Sequence, residues 1–198
     1  EHTIVSVHLM HEKFQSSQKM SFWQPYLDLL PADSTLPFDF PPAMHELLGL
    51  SSALQGGVGV AAQTRDSSWE SVRVLLMGRH ARRFLQKPED ELRQLFFWAY
   101  NIVRMRCWSE MQPIYASAAN LVPISDALNH HSKQGLHHYL QQEGVALHSP
   151  VELAAGDEVF QNYLKREGDT ELACNANLFN MFGFVVEDYA HDCFLLEV

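Results

Sequence analysis

The sequence has no long apolar run, and this absence argues against a protein that crosses a membrane as an apolar helix. A membrane-spanning helix needs about 20 consecutive apolar residues, and no run in the chain comes near that length. The two ends also lack the patterns of a secretory leader or a lipid anchor. We therefore expect a chain without membrane attachment.

Basic residues and cysteines are also scarce. Fourteen Lys and Arg face 24 Asp and Glu, which gives a formal net charge of −10. This charge repels phosphate backbones, so broad nucleic-acid binding is not expected. Cys107, Cys174 and Cys193 are scattered and form no Cys-x-x-Cys pair. This pattern predicts reduced thiols inside a cell and argues against a zinc site built from thiolates.

The first half of the chain reads as helical. Residues 1–14 already have helical spacing, which indicates a piece of something longer, and five residues share one face: Ile4, Val7, His8, His11 and Phe14. Ser21 is placed to cap a short helix with an early proline, Pro25, and a stop at Pro31. A further short helix is expected around residues 45–50.

Pro88 opens the clearest helix, because acidic residues follow it where the helix dipole favours them. Its apolar stripe consists of Leu92, Leu95, Phe96, Ala99, Ile102 and Val103. The next turn of the stripe reaches Arg106. An arginine there either needs a carboxylate or carbonyl partner or lies beyond the helix end and reaches solvent, and the periodicity leaves both open.

Residues 51–71 are rich in Ser, Gly and Gln and predict a mobile or inserted segment. Its Gly57-Val58-Gly59 could suggest a phosphate-binding loop. No strand precedes it, and neither a third glycine nor a Gly-Lys-Ser/Thr run follows at the required spacing, so a flexible linker is the better interpretation.

The second half reads as short strands, predicted at 120–124, 145–148, 151–153, 158–163 and 193–198, with a turn at 154–157. Asn175 is placed to cap a short helix through Phe182, and Gly183 suits its C-terminal exit. Helices first and strands later predict an α+β fold.

Five stretches in this order resemble the SET-domain methyltransferases of the Rubisco large-subunit lysine methyltransferase branch. They are residues 21–31 (SFWQPYLDLLP), 97–108 (FWAYNIVRMRCW), 121–130 (LVPISDALNH), 156–163 (GDEVFQNY) and 175–184 (NANLFNMFGF). Each is weak alone, and their order carries the resemblance. It implies a SET domain with short strands around a knot-like core and a mostly helical inserted region. The implied division is a lead-in at 1–31, the insert at 32–118 and the C-terminal SET core at 119–198.

The resemblance also implies roles for particular residues. S-adenosylmethionine would be held by Arg106, Asn129, His130 and Phe184, and Tyr163 would stand at the methyl-transfer channel as the catalytic residue. The channel would be lined by Trp108, Asp126 and Phe182. Relatives often have tyrosine at the position of Phe182, so the number of methyl groups added is open. The family's glycine-containing cofactor strand and its C-terminal substrate-binding domain are not found in this chain.

The residue types suit the chemistry. A lysine with a pKa of about 10.4 must lose a proton before it attacks a methyl group, and a dry aromatic channel disfavours the ammonium form. Tyr163 can orient the nucleophile through its hydroxyl. An isolated strand tyrosine would nevertheless be ordinary without the resemblance.

The implied function is S-adenosylmethionine-dependent methylation of a non-histone protein, most simply on lysine, with histidine open as the target. The alternative is a degenerate SET domain that acts as a non-catalytic scaffold or assembly subunit. A metal site at His130, His131, His137, His138 and His148 is the less favoured alternative, because His130 is already assigned and the others lie in a polar stretch. No metal is therefore expected. The implied location is intracellular, in cytoplasm, nucleus or an organelle.

Overall fold

The computed structural model describes residues 1–16, 21–49, 52–78, 81, 87–110, 118–131, 135–141, 144–163 and 174–187. Its helices are α1 (His2–Ser16), α2 (Gln24–Leu29), α3 (Pro42–Leu48), α4 (Ser52–Leu76), α5 (Glu89–Arg106) and α6 (Asn175–Phe182), with 3₁₀ turns at Pro37–Asp39 and Ser125–Ala127. Its strands are β1 (Trp108–Glu110), β2 (Ala118–Asn120), β3 (Asn129–His130), β4 (His137–Gln141), β5 (Gly144–His148) and β6 (Phe160–Gln161). The α+β class is confirmed.

Helix α5 forms the centre of the main hydrophobic core. Its predicted stripe is buried almost as expected: Leu92, Phe96, Ala99, Ile102 and Val103 are buried, and Leu95 packs against them while partly exposed. The spacing predicted this helix well because the apolar residues recur on one face only. None of the helices in the described part of the chain combines the length and apolar character of a membrane-spanning segment.

Helix α1 packs on α5, but with a different face from the one predicted. Ser6 and Met10 are fully buried, and Leu9 and Phe14 are nearly so. Ile4, by contrast, is 73% exposed. The apolar residues of α1 are spread around the helix, so the sequence supports more than one stripe, and contact with α5 selects between them.

The predicted mobile segment is wrong for residues 52–71, because they belong to the 25-residue helix α4. Four apolar side chains of α4 are buried: Val58, Ala61, Trp69 and Leu76. Their burial outweighs the weak helix propensity of the glycines. A Cβ on Gly57 would lie 2.4 Å from the Asn180 side chain, so this glycine lets α4 and α6 approach closely.

The described strands form three two-stranded sheets. β1 pairs with β2 and β4 pairs with β5, both antiparallel, whereas β3 and β6 are parallel. The expected strand at 145–148 is confirmed as β5. β4 lies in the stretch whose polar character argued against a histidine metal site. The strand expected at 120–124 is misplaced, because β2 ends at Asn120.

The strand predicted at 151–153 is wrong. Ser149 folds the backbone there into a turn, because its hydroxyl accepts from Val151 N–H and donates to Val151 O at 3.2 and 2.5 Å. The turn predicted at 154–157 is present, and Gly156 has φ +100°. The strand predicted at 158–163 is reduced to β6, and the one predicted at 193–198 lies outside the described residues.

β6 is hydrogen-bonded to two separate segments of the chain. Gln161 O accepts from His131 N–H at 3.0 Å, and Phe160 O accepts from Leu136 N–H at 2.7 Å. A Cβ on Gly135 would lie 2.1 Å from the backbone nitrogen of Asn162. Only glycine fits there, and this close crossing of backbones forms the compact centre of the strand-rich half.

Helix α6 ends as predicted, but it starts differently. Gly183 takes the left-handed conformation at the C-cap, with φ +79°. The N-cap is Cys174, not the predicted Asn175. The Asn175 amide instead accepts from Val186 N–H at 2.7 Å and donates to Val186 O at 3.0 Å. It therefore ties the start of α6 to the segment that follows the helix.

The cysteines depart from the expectation of three reduced thiols. Cys174 is disulfide-bonded, whereas Cys107 is free. Burial raises the pKa of Cys107 to about 11, so this thiol stays protonated at neutral pH.

Candidate active site

Four aromatic rings from three separate stretches of sequence meet at one place, which we call the ring cluster: His130, Tyr163, Phe182 and Phe184. The Tyr163 ring centre lies 4.8 Å from that of Phe182, 5.3 Å from that of His130 and 6.0 Å from that of Phe184. The Phe184 and His130 ring centres are 6.0 Å apart. The structure thus brings together residues that the sequence assigned to cofactor, channel and catalysis.

Tyr163 is held at both its backbone and its hydroxyl. The hydroxyl donates to Leu128 O at 2.6 Å, and the backbone N–H donates to His130 Nδ1 at 3.1 Å. Burial raises the pKa of Tyr163; nearby Arg106 opposes this shift and Asp126 adds to it. The phenol is therefore neutral near pH 7, with its oxygen fixed at the edge of the ring cluster.

Arg106 lies on the apolar stripe of α5 and is paired with a backbone carbonyl, one of the two kinds of partner expected for it. Its Nη1 donates to Asp126 O at 2.8 Å. The Asp126 carboxylate accepts a short hydrogen bond from the Tyr26 hydroxyl on its Oδ2, while its buried Oδ1 has no partner. Burial raises the pKa of Asp126, against the lowering effects of Tyr26 and Arg106. The pKa of Tyr26 is raised in turn, by burial and then by Asp126.

Asn129 and His130 form β3, and His130 belongs to the ring cluster. The Asn129 amide nitrogen donates to Glu158 Oε1 at 2.8 Å, and the side chain is exposed. The pKa of His130 is lowered, first by burial and then by His131, while the Gln161 backbone opposes the shift. The imidazole is therefore neutral near pH 7, and no described residue forms a hydrogen bond with its buried Nε2.

Two contacts from outside the ring cluster hold its phenylalanines in place. The Thr35 hydroxyl donates to Phe182 O at 3.3 Å and lies 3.8 Å from Met105 Sδ. The Asn175–Val186 bonds fix the segment that carries Phe184. Trp108 lies at the start of β1, opposite Asn120 and two residues after Arg106.

Sequence reasoning missed Tyr26, Leu128 and Thr35. Tyr26 lies in the first stretch that carried the family resemblance, which is the one signal that could have pointed to it. Leu128 acts through a backbone carbonyl, and no side-chain pattern reveals such a contact.

The metal hypothesis gains no support from the described part of the chain, where no group of three or more His, Cys, Asp or Glu side chains could hold an ion. The described arrangement consists instead of aromatic rings, a neutral phenol, a neutral imidazole and an arginine. Such a set can bind and orient a polar, cationic or aromatic ligand.

Comparison with known structures identifies the fold. The SET domain of LSMT bound to lysine and AdoHcy superposes with a TM-score of 0.67 at 21% identity, over 91% of this chain and 40% of that one. Rubisco LSMT bound to AdoMet gives a TM-score of 0.68 at 22% identity, over 94% and 40%. The chain has the fold of a SET domain. Its ring cluster therefore belongs to a fold of which one solved example is bound to AdoMet and another to AdoHcy and lysine.

Comparison with curated sequences agrees with this structural match. The chain is 27% identical over 210 residues to the chloroplastic Rubisco large-subunit N-methyltransferase of Nicotiana tabacum, covering 98% of this chain and 38% of that protein. It is 25% identical over 206 residues to the chloroplastic fructose-bisphosphate aldolase-lysine N-methyltransferase of Arabidopsis thaliana, covering 98% and 39%. The chain thus spans about two fifths of the length of these relatives. No protein-family model matches it.

Proposed function

We propose that the full-length protein is an S-adenosylmethionine-dependent protein-lysine N-methyltransferase that acts on a non-histone protein. The observation that supports this most directly is the Tyr163 hydroxyl, held by the Leu128 carbonyl at 2.6 Å within the ring cluster. A fixed phenolic oxygen among aromatic rings is what methyl transfer to an amine needs. The relatives named above methylate proteins, by their names.

The residues present fit the proposed cofactor. His130 keeps a buried Nε2 without a partner, and Asn129 has an exposed amide at the same strand. Arg106 is fixed close by, and the Phe184 ring offers an apolar wall. We therefore assign the holding of the cofactor to Arg106, Asn129, His130 and Phe184. When bound, S-adenosylmethionine supplies an electrophilic methyl group on a cationic sulfur.

The remaining residues act on the amine of the target. Tyr163 orients the amine nitrogen through its hydroxyl, which stays neutral because its pKa is raised. Phe182 and Trp108 exclude water from the channel, which favours the uncharged amine. Asp126, held by Tyr26, lies at the entrance, where its carboxylate attracts a lysine ammonium. Tyr163 is the catalytic residue in this proposal.

Two measurements on the full-length protein test the proposal. Calorimetric titration with S-adenosylmethionine should show saturable binding that Asn129→Ala weakens and Tyr163→Phe leaves nearly intact. Transfer of labelled methyl to protein in an extract should fall by about 100-fold or more in Tyr163→Phe, the loss expected when one oriented polar group is removed. A folded protein that binds no cofactor would refute the proposal.

One observation favours the alternative, a non-catalytic SET domain that serves as a scaffold or assembly subunit. The Asn129 amide nitrogen, needed for the cofactor, is engaged with Glu158 in this structure. If the alternative holds, Glu158→Gln and Tyr163→Phe should change neither cofactor binding nor methylation. If the enzyme proposal holds, Tyr163→Phe abolishes methylation while the fold and its thermal stability persist.

We further propose the division into a lead-in at 1–31, an insert at 32–118 and a SET core at 119–198. The substrate or partner is a protein, and the net charge argues against nucleic acid. The chloroplastic names of the relatives make an intracellular location, in a plastid or another compartment, the natural one to test by imaging a tagged full-length protein.

A further inference from the structure

A cavity of about 300 Å³ opens beside α5, in the part of the chain proposed as the insert. One wall is apolar and consists of Trp98, Ile102 and Met105. The other carries Asp33, Ser34, Asp39 and Asn101. Trp98, Asn101, Ile102 and Met105 lie in the stretch 97–108, but the sequence assigned none of the residues that line the cavity a role in cofactor binding, the channel or catalysis, and none belongs to the ring cluster.

Two hydrogen-bond donors on this cavity are already engaged. Trp98 Nε1–H donates to Pro31 O at 2.9 Å, and Asn101 Nδ2 donates to Asp39 Oδ2 at 2.6 Å. Asn101 Oδ1, in contrast, has no hydrogen-bond partner among the described residues, and Asn101 is only 5% exposed. A buried polar atom left unsatisfied costs about 1–3 kcal/mol, so this amide is better explained by a ligand that donates to it.

Asp33 and Asp39 carry the two carboxylates on the cavity, and they differ in their cationic partners. Asp39 is matched by Arg65, whose Nη1 lies 2.5 Å from Asp39 Oδ1 and whose guanidinium lies between the Phe38 and Phe97 rings. Asp33 is exposed, and no described residue forms an ion pair with it. The Lys13 ammonium lies 5.3 Å from the Trp98 ring centre, within the range of a cation–π contact.

The cavity lies next to the proposed methyl-transfer channel. Met105 lines the cavity, and its sulfur contacts the Thr35 hydroxyl, which in turn donates to Phe182 O. Met105 and Thr35 therefore connect the cavity to the ring cluster.

We propose that this cavity is a second binding site, which takes a lysine or arginine side chain of the protein substrate. The aliphatic stem packs on Trp98, Ile102 and Met105, and the charged head donates to Asp33 and Asn101 Oδ1. Long basic side chains combine these two characters. That the basic residue belongs to the methylated protein rests on the proposed function; the binding of a basic side chain does not.

The test is a titration of the full-length protein labelled with ¹⁵N-tryptophan, in which the Trp98 indole N–H is assigned by Trp98→Phe. Three probes are compared: the N-acetyl methylamides of lysine, arginine and norleucine. The charged probes should shift the Trp98 signal saturably, and norleucine should not. Whichever of lysine and arginine binds more tightly identifies the preferred side chain.

Matched variants give the expected pattern. Asp33→Asn should weaken the charged probe by about three- to five-fold, the effect of one partly exposed charge, whereas Glu46→Gln, exposed on α3, should not. Tyr163→Phe should leave the Trp98 shift unchanged. Equal binding of norleucine, or no shift with either charged probe, overturns the proposal. Probe binding without methyl transfer would reject the enzyme function alone.

Discussion

Tyr26 provides the only described hydrogen bond to the Asp126 carboxylate. Tyr26→Phe removes the hydroxyl and leaves both carboxylate oxygens of a buried aspartate unpaired. An unsatisfied buried group of this kind costs about 1–3 kcal/mol, and we expect urea denaturation to show a loss of that size. Tyr100→Phe, which removes the hydroxyl of another buried tyrosine, is the control and should cost less.

The same substitution should carry a pH signature. Burial raises the pKa of Asp126, and the Tyr26 hydrogen bond opposes this shift, so its loss raises the pKa further. A carboxyl with a raised folded pKa weakens the fold as pH rises, because the unfolded chain gives up its proton more readily. The stability gap between Tyr26→Phe and the native protein should therefore be smallest near pH 4 and widen toward pH 7. A constant gap would contradict this.

Phe182 bears on how many methyl groups the proposed enzyme adds. Its ring centre lies 4.8 Å from that of Tyr163, so a hydroxyl in Phe182→Tyr would add a polar group beside the amine and occupy space. We expect fewer methyl groups per lysine than with the native protein, as measured by mass spectrometry of the product. Phe179→Tyr, on the same helix but paired with Phe40, should leave the number unchanged. An increase in Phe182→Tyr would refute the assignment.

At the scale of elements, the contact between α4 and α6 gives different surroundings to two glycines of α4 that look alike in sequence. Gly57 faces Asn180 at 2.4 Å from a Cβ position, whereas Gly59 faces open space. Gly57→Leu should destabilise the fold by about 1–3 kcal/mol through overpacking. Gly59→Ala should stabilise it by up to about 1 kcal/mol through helix propensity. Thermal and urea denaturation of both variants give the comparison, and shifts of the same sign would argue against the packing.

The exit of α6 offers a second matched pair. Gly183 and Gly156 both have positive φ, but a Cβ on Gly183 would lie 2.1 Å from Thr35 O, and one on Gly156 would meet nothing. Alanine at either site carries the strain of the left-handed conformation, about 1–2 kcal/mol. Gly183→Ala should therefore cost clearly more than Gly156→Ala and should also displace Phe182. Similar losses of stability would show that the crowding at Thr35 is relieved elsewhere.

Elements with a single strong pattern could be predicted, and elements set by distant contacts could not. The one-sided stripe of α5 and the glycine exit of α6 were visible in the sequence. The long helix α4 was missed because its glycines suggest flexibility, while the burial of Trp69 and the Arg65–Asp39 pair decides otherwise. For the candidate site, the ring residues were predicted from family resemblance. Tyr26 is 100 positions from Asp126, a pairing that local spacing does not encode.

At the scale of the whole molecule, the buried apolar side chains are unevenly divided. The main core lies between α1, α2, α4 and α5. Beyond α5, the described buried apolar residues are Leu136, Cys174 and Leu178. Among the described residues, the strand-rich half, which carries most of the candidate site, therefore contributes far fewer buried apolar side chains than the helical half.

This uneven burial of apolar side chains predicts which segments unfold locally at the lowest free energy. Segments with few buried apolar contacts open at lower free energy than the core, so amide hydrogens of β3 and β6, whose residues include no buried apolar side chain, should exchange faster than those in the middle of α5. Mass spectrometry of the full-length protein in deuterated buffer measures the difference. If the enzyme proposal is right, saturating S-adenosylmethionine should slow exchange at 128–131 and 160–163, because a ligand of the folded state suppresses its opening. Slowing confined to α5 would place the ligand elsewhere.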